Sequence, residues 1–280
     1  IGLSSWTFAW SIGVPGYPKP KKPLDFEGLL RRTKELNVHL LQVADNFPLD
    51  AFEKRKLEAW ASKARKSGIE IEVGTSGTSS RILSNYLELA RIFNSRIVRT
   101  TIRAEEIDKG IEFVTQNINS VIREFEKEEI FLLIENYEQI RSDQLLKILD
   151  SVGSSYLGVC LDTTNSIGAV EPIEELVRKF LPYIMELHLK DYRVYRLDHK
   201  FGFIITGAPL GEGNLNLDWV LRTLASVKND IHIILEQWVP FSGSLEETLQ
   251  LEAEWIWKNL TYLMEKLKSL SNLQDEGVKM

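Results

Sequence analysis

The sequence predicts a closed parallel (β/α)8 barrel, and three observations carry that prediction. Short runs rich in β-branched and aliphatic residues alternate with amphipathic helical patterns eight times along the chain. The 280 residues slightly exceed the ~250 typical of such a barrel. The last four strand-like runs each end near a residue that binds divalent cations: Glu135, Asp162, His188 and Glu236. A doubly wound open sheet is the competing α/β architecture, but no Gly-rich phosphate fingerprint follows the first strand.

In chain order, Ile1–Phe8 has strand character, and after a long loop Asp25 caps a helix over Phe26–Leu36. His39–Asp45 is the second strand. The amphipathic Leu57–Ser67 stops at Gly68, Ile69–Thr75 returns to strand, and Ser80–Phe93 is the next helix. Arg96–Ile102 is the fourth strand, followed by a helix over Asp108–Lys127 and strand Ile130–Asn136. Helix Ser142–Leu149, strand Leu157–Thr163 and helix Pro172–Phe180 continue the cycle, with Pro172 suited to a first helical turn. Ile184–Asp191 is the seventh strand, Tyr192–Asn214 reads as irregular, and Asp218–Ser226 as helix. Ile231–Trp238 is the eighth strand. A closing helix, Leu245–Leu270, starts beyond Ser244. These elements place one barrel domain over residues 1–270 and a frayed polar tail over 271–280.

The composition directs attention to small molecules. With 34 basic and 40 acidic residues the chain carries a net charge of -6, which does not favour a phosphate-tracking nucleic-acid surface or a polybasic membrane anchor. No apolar run approaches the ~20 residues of a membrane helix, and the first residues lack a secretory pattern, so a soluble cytoplasmic protein is expected. The single cysteine, Cys160, cannot pair internally and reads as a small hydrophobe of the barrel interior.

Strand parity turns the four ligand-type residues into a site. In a parallel barrel the inward residues at the C-terminal strand ends reach the active-site mouth, where Glu135, Asp162, His188 and Glu236 fall. Each alone has an ordinary structural explanation, but on four successive strands they converge. Three carboxylates and an imidazole suit one divalent metal ion, Mn²⁺, Mg²⁺, Co²⁺ or Zn²⁺.

The segments Leu133–Asn136, Val159–Asn165, Leu187–Asp191, Pro209–Gly213 and Ile234–Glu236 resemble the xylose-isomerase-like TIM-barrel superfamily, the sugar phosphate isomerase/epimerase family. The resemblance covers the second half by motif and the first half by rhythm. It implies that Glu135, Asp162, His188 and Glu236 hold one catalytic divalent cation. Many sugar epimerases of this group carry a histidine three positions after the strand-six aspartate, where this chain has Asn165, which cannot titrate near neutral pH. The superfamily also includes zinc endonucleases with a histidine-rich multinuclear cluster. Only His39, His188, His199 and His232 are present here, and His39 and His232 open their strands at the far end of the barrel.

The expected chemistry is isomerisation or epimerisation of a sugar, sugar acid or sugar phosphate through a metal-stabilised enediolate, with Glu135 and Glu236 as the catalytic proton carriers. A dehydratase (lyase) acting on a cyclic polyol or keto acid is the alternative, followed by a DNA-repair phosphodiesterase or a non-catalytic metal-binding barrel. Trp6, Phe8, Gln42, Asn165, Lys190, Arg193 and Trp238 are the candidate substrate-binding residues, and Glu186 shares the inward parity of His188 and Lys190. The loops Trp10–Leu24, stiffened by four prolines, and Tyr192–Asn214 are expected to cap the mouth, and exposed helices with these loops offer a homodimer face.

Overall fold

The computed structural model describes residues 1–227 and 231–275, with residues 271–275 described by backbone alone. Eight parallel strands close into a barrel: β1 (Gly2–Ser4), β2 (Leu40–Val43), β3 (Glu70–Ser76), β4 (Ile97–Thr101), β5 (Phe131–Glu135), β6 (Leu157–Asp162), β7 (Ile184–Leu189) and, after two strands outside the barrel, β10 (His232–Leu235). Each strand neighbours its predecessor, and β10 closes the ring between β7 and β1. The intervening β8 (Asp191–Arg196) and β9 (Phe203–Ala208) form an antiparallel hairpin.

Helices α1 (Ala9–Ile12), α2 (Phe26–Glu35), α3 (Lys54–Ser67), α4 (Ser80–Phe93), α5 (Ala104–Ile107), α6 (Ile111–Asn119), α7 (Ile122–Glu128), α8 (Ser142–Val152), α9 (Ile173–Phe180), α10 (Leu217–Ala225) and α11 (Leu245–Asp275) complete the chain. Their limits have local causes. Asp25 accepts a hydrogen bond from Gly28 N at 2.8 Å and starts α2, while Gly68 (φ 70°) and Asn94 (φ 56°) end α3 and α4 in the left-handed conformation.

Strand alternation sorts the core into two layers. Ile134, Leu161, Leu187 and Leu189 face outward and are fully buried with Leu145, Ile148 and Phe180 of the helices, each such side chain contributing roughly 1.5–3 kcal/mol. Ile97, Leu133 and Cys160 pack together on the opposite parity and fill the barrel interior beneath the mouth, as expected for Cys160.

Four elements differ from the sequence expectation. β1 stops at Ser4, because its side chain accepts from Trp6 N while Ser4 N donates to Thr7 Oγ1, and this reciprocal cap turns Ser5–Phe8 into a 3-10 helix. The helix expected over Asp108–Lys127 divides into α6 and α7, with Ser120 Oγ donating to Asn117 O at 2.6 Å at the break. The region expected to be irregular contains β8 and β9, whose Val194, Tyr195, Ile204 and Ile205 are exposed, so no alternation of burial marked them as strands. The closing helix runs on to Asp275; residues 276–280 of the expected tail lie outside the described residues.

Candidate metal centre and active-site cavity

Glu135 ends β5, Asp162 ends β6, His188 lies one residue before the end of β7, and Glu236 follows β10. All four are buried within 2% exposure at one mouth of the barrel. His188 Nδ1 lies 3.3 Å from Glu135 Oε2 and 3.4 Å from Glu236 Oε1, and ligand atoms of Asp162, His188 and Glu236 all fall within 4.8 Å of one another.

The backbone fixes which atoms face inward. Asp162 Oδ1 accepts from Thr164 N and Asn165 N at 2.8 and 2.7 Å, which aims Oδ2 at the cavity. Asn136 locks the end of β6 by exchanging two bonds with the Asp162 backbone. Asp162 Oδ2, His188 Nδ1 and Glu236 Oε1 are buried without a hydrogen-bond partner among the described residues, although Lys190 Nζ stands 2.8 Å from Asp162 Oδ2 as an ion pair. Two carboxylate oxygens and an imidazole nitrogen that converge in a buried site, with hydrogen-bonding capacity left over, are a donor set that fits a divalent cation. Behind the imidazole, Glu186 Oε1 lies 3.2 Å from His188 Nε2, the kind of carboxylate support that orients metal-binding histidines.

Two buried cations balance the carboxylates. Arg99, inward-facing on β4, donates through Nε to Glu135 Oε2 and through Nη1 to Asp45 Oδ1 at 2.8 Å. Asn165 Nδ2 donates to the other Glu135 oxygen at 2.6 Å. Burial opposes the Glu135 charge, but Arg99, followed by His188, holds its carboxyl well below the usual range. Lys190 Nζ contacts Glu236 Oε2 at 2.7 Å; burial disfavours its ammonium, yet Asp162 and Glu236 more than restore it. Burial likewise disfavours a charge on His188. The acidic surroundings nevertheless raise its pKa well above the ordinary value; beside Cys160, itself kept a neutral thiol by burial, the charges that act are Glu236 and Glu135.

A cavity of 350 Å³ opens over this cluster. Trp6, Asn165, Lys190 and Trp238 line it, as the sequence suggested. Three other candidates are not brought there. Phe8, displaced by the early end of β1, is buried in the core and borders a separate groove beside α2 and α11. Gln42 lies deeper, donating to Glu72 and Glu186. Arg193 is held on the hairpin by the Glu212 carbonyl. Neither loop expected to cap the mouth contributes to the cavity wall. Trp10 and Tyr17 of the first pack with Phe241, and the second is tied back by Asp191, whose carboxylate accepts from Tyr192, Gly211, Gly213 and Leu215 N–H groups.

The sequence reading missed Arg99, Asp45, Arg103 and Tyr137, all on the cavity wall. Arg99 carried a signal, since an arginine with inward parity in the middle of a barrel strand requires a buried partner. Of the four histidines only His188 is at the mouth. His39 and His199 are exposed elsewhere and His232 opens β10, so the described residues assemble no histidine-rich cluster there.

The comparisons agree with this architecture. A family model described as xylose isomerase-like TIM barrel matches residues 30–258. The chain belongs to that family. Within it, 3-oxo-isoapionate decarboxylase of Pectobacterium atrosepticum is 32% identical over 265 residues, covering 94% of each chain. Among solved structures, an L-ribulose 3-epimerase superposes with a TM-score of 0.72 at 14% identity, covering 100% of this chain and 98% of that one. A xylose isomerase-like TIM barrel protein from Mycobacterium smegmatis in complex with magnesium gives 0.66 at 18% identity, covering 86% and 87%. Such structural likenesses establish the fold alone. Among the described residues no helix is long and apolar enough to cross a membrane.

Proposed function

We propose that this chain is a divalent-metal-dependent lyase that decarboxylates a sugar-derived 3-oxo acid, with Glu135, Asp162, His188 and Glu236 holding the metal. The observation that carries this reading is the unequal state of the two glutamates. Epimerisation requires one base to remove a proton and a second group to return one on the opposite face. Both oxygens of Glu135 are already engaged, by Arg99 and Asn165, so it is a poor proton carrier. Glu236 keeps Oε1 without a hydrogen-bond partner. Decarboxylation needs no C–H abstraction and only one proton delivery. The identity to a named 3-oxo acid decarboxylase over nearly the whole chain supports the same choice.

A divalent cation held by the four residues would supply Lewis acidity toward the substrate's ketone oxygen. Arg103 stands on the cavity rim, its guanidinium bonded to the Ser76 carbonyl at 2.8 Å, and binds the substrate carboxylate. Trp6 and Trp238 cover the apolar C–H faces of the sugar chain. When the C–C bond to the carboxylate breaks, carbon dioxide leaves and the electron pair delocalises from the α-carbon to the ketone oxygen. The Lys190 ammonium, held at 2.7 Å by Glu236, delivers the single proton that the α-carbon requires, regenerating a neutral ketone.

A sugar epimerase or isomerase is the second reading, favoured by the presence of both Glu135 and Glu236 on the cavity wall. The deciding experiment gives Mn²⁺-loaded protein a panel of 3-oxo sugar acids and free ketoses in heavy water. Carbon dioxide release with one deuterium in the product is expected. Deuterium exchange into a ketose without loss of carbon dioxide would replace the lyase reading with the epimerase one, and β-hydroxyl elimination would make the protein a dehydratase.

A further inference from the structure

Beneath the mouth the barrel holds a second polar cluster, of which the proposed reaction uses only Glu186, as the support of His188. Gln42 and Glu72 are register partners on β2 and β3, and His232 and Glu186 are register partners on β10 and β7. Gln42, Glu72 and Glu186 are buried within 1% exposure, an expensive place for two carboxylates. Gln42 Nε2 donates to Glu186 Oε1 at 2.9 Å and to Glu72 Oε2 at 3.2 Å, while His232 Nδ1 lies 2.5 Å from Glu72 Oε1. Ligand atoms of Glu72, Glu186 and His232 all fall within 4.8 Å of one another.

A proximity of acidic groups is not by itself a site. Here, however, Glu186 Oε2 and Gln42 Oε1 are fully buried and have no hydrogen-bond partner among the described residues. Both are acceptors that call for a donor or a cation; a proton held between the Glu72 and Glu186 carboxyls meets part of that need in the metal-free chain, and a cation would take its place. His232 provides the route: it begins β10 at the end of the barrel opposite the mouth, and its side chain is 37% exposed.

We propose that Glu72, Glu186 and His232 form a second cation site inside the barrel, with the Gln42 amide nitrogen holding the two carboxylates in place. Two carboxylates and an imidazole suit a first-row divalent ion such as Zn²⁺ or Co²⁺ better than Mg²⁺, which prefers all-oxygen surroundings. The site is loaded from the N-terminal face of the barrel, independently of substrate. It also touches the mouth, because Glu186 Oε1 lies 3.2 Å from His188 Nε2, so an ion below fixes the carboxylate that orients that imidazole.

Co²⁺ titration of the metal-stripped full chain, followed by calorimetry and visible absorption, tests the proposal. The unaltered chain should bind two Co²⁺ ions, His232→Ala and Glu72→Gln one each, Asp162→Asn one, and the His232→Ala/Asp162→Asn pair none. Circular dichroism of each variant verifies folding, and Glu72→Gln keeps the test intact should His232→Ala fail to fold. One Co²⁺ in the unaltered chain, unchanged by His232→Ala, overturns the proposal and means that Glu72 and Glu186 share a proton instead. This outcome is separable from the decarboxylase reading, since two bound ions with no carbon dioxide release would overturn only the latter.

Discussion

Arg99 decides more of the candidate site's chemistry than any one of the carboxylates around it. Its guanidinium, only 4% exposed as a side chain, bridges Glu135 at the end of β5 and Asp45 in the loop after β2. A buried carboxylate stripped of its cation costs about 3–5 kcal/mol. Arg99→Met should therefore lower stability by about that amount in urea unfolding and raise the Glu135 pKa toward the ordinary range. Retention of full stability would mean that Asn165 alone satisfies Glu135. At Glu236, replacement by Gln keeps the shape and removes the charge; we expect turnover to fall by about 100-fold or more with the far-ultraviolet dichroism unchanged. Unaltered turnover would remove Glu236 from the proton path. At this scale the four ligand-type residues were legible from parity, whereas the binding state of each oxygen was not. Whether Glu135 is free or engaged depends on Arg99 and Asn165, which neighbouring strands bring within bonding distance.

Among the elements, α1 and the loop after it are governed by one buried acid on α11. Glu252 accepts from Trp10 N at 2.7 Å and Ser11 N at 3.2 Å, and Trp10 Nε1 donates to the Val239 carbonyl at 2.8 Å. These bonds hold the proline-rich loop against α11 and away from the cavity. Burial raises the Glu252 carboxyl from 4.5 to about 7, against the bonds from Ser11 and Trp10 that favour its charge. Because the folded pKa is the higher one, the folded chain binds more protons than the unfolded chain between these values. Stability from this group is full below about pH 4.5 and is lost as pH rises through about 7. Glu252→Gln should abolish that fall, by about 3 kcal/mol at most, and a Tm profile from pH 4 to 8 measures it. An identical slope in the variant would assign the pH dependence elsewhere. Helices with caps were legible in the sequence because a cap is a local bond, as at Asp25 and Gly68. The β8–β9 hairpin was not, because its apolar side chains face solvent and supply no alternation of burial.

At the scale of the whole molecule, loading of the proposed metal would be coupled to protonation. In the metal-free chain the carboxylates around His188 favour its imidazolium, and a metal would have to displace that proton. Apparent affinity for Mn²⁺ should rise with pH across the neutral range, and calorimetry in buffers of different ionisation enthalpy should detect proton release on binding. Binding without proton release would place the cation away from His188. The chain alone determined the barrel and the strand ends that meet at its mouth, because a period of two along each strand fixes which side chains face inward. Tertiary structure alone decided which of those groups retain a free atom, and it assembled Gln42, Glu72, Glu186 and His232 beneath them. Closure of the sheet is the physical reason. It carries residues distant in sequence to the same height on the barrel axis, and the stagger that sets this height belongs to the closed ring and to no single strand.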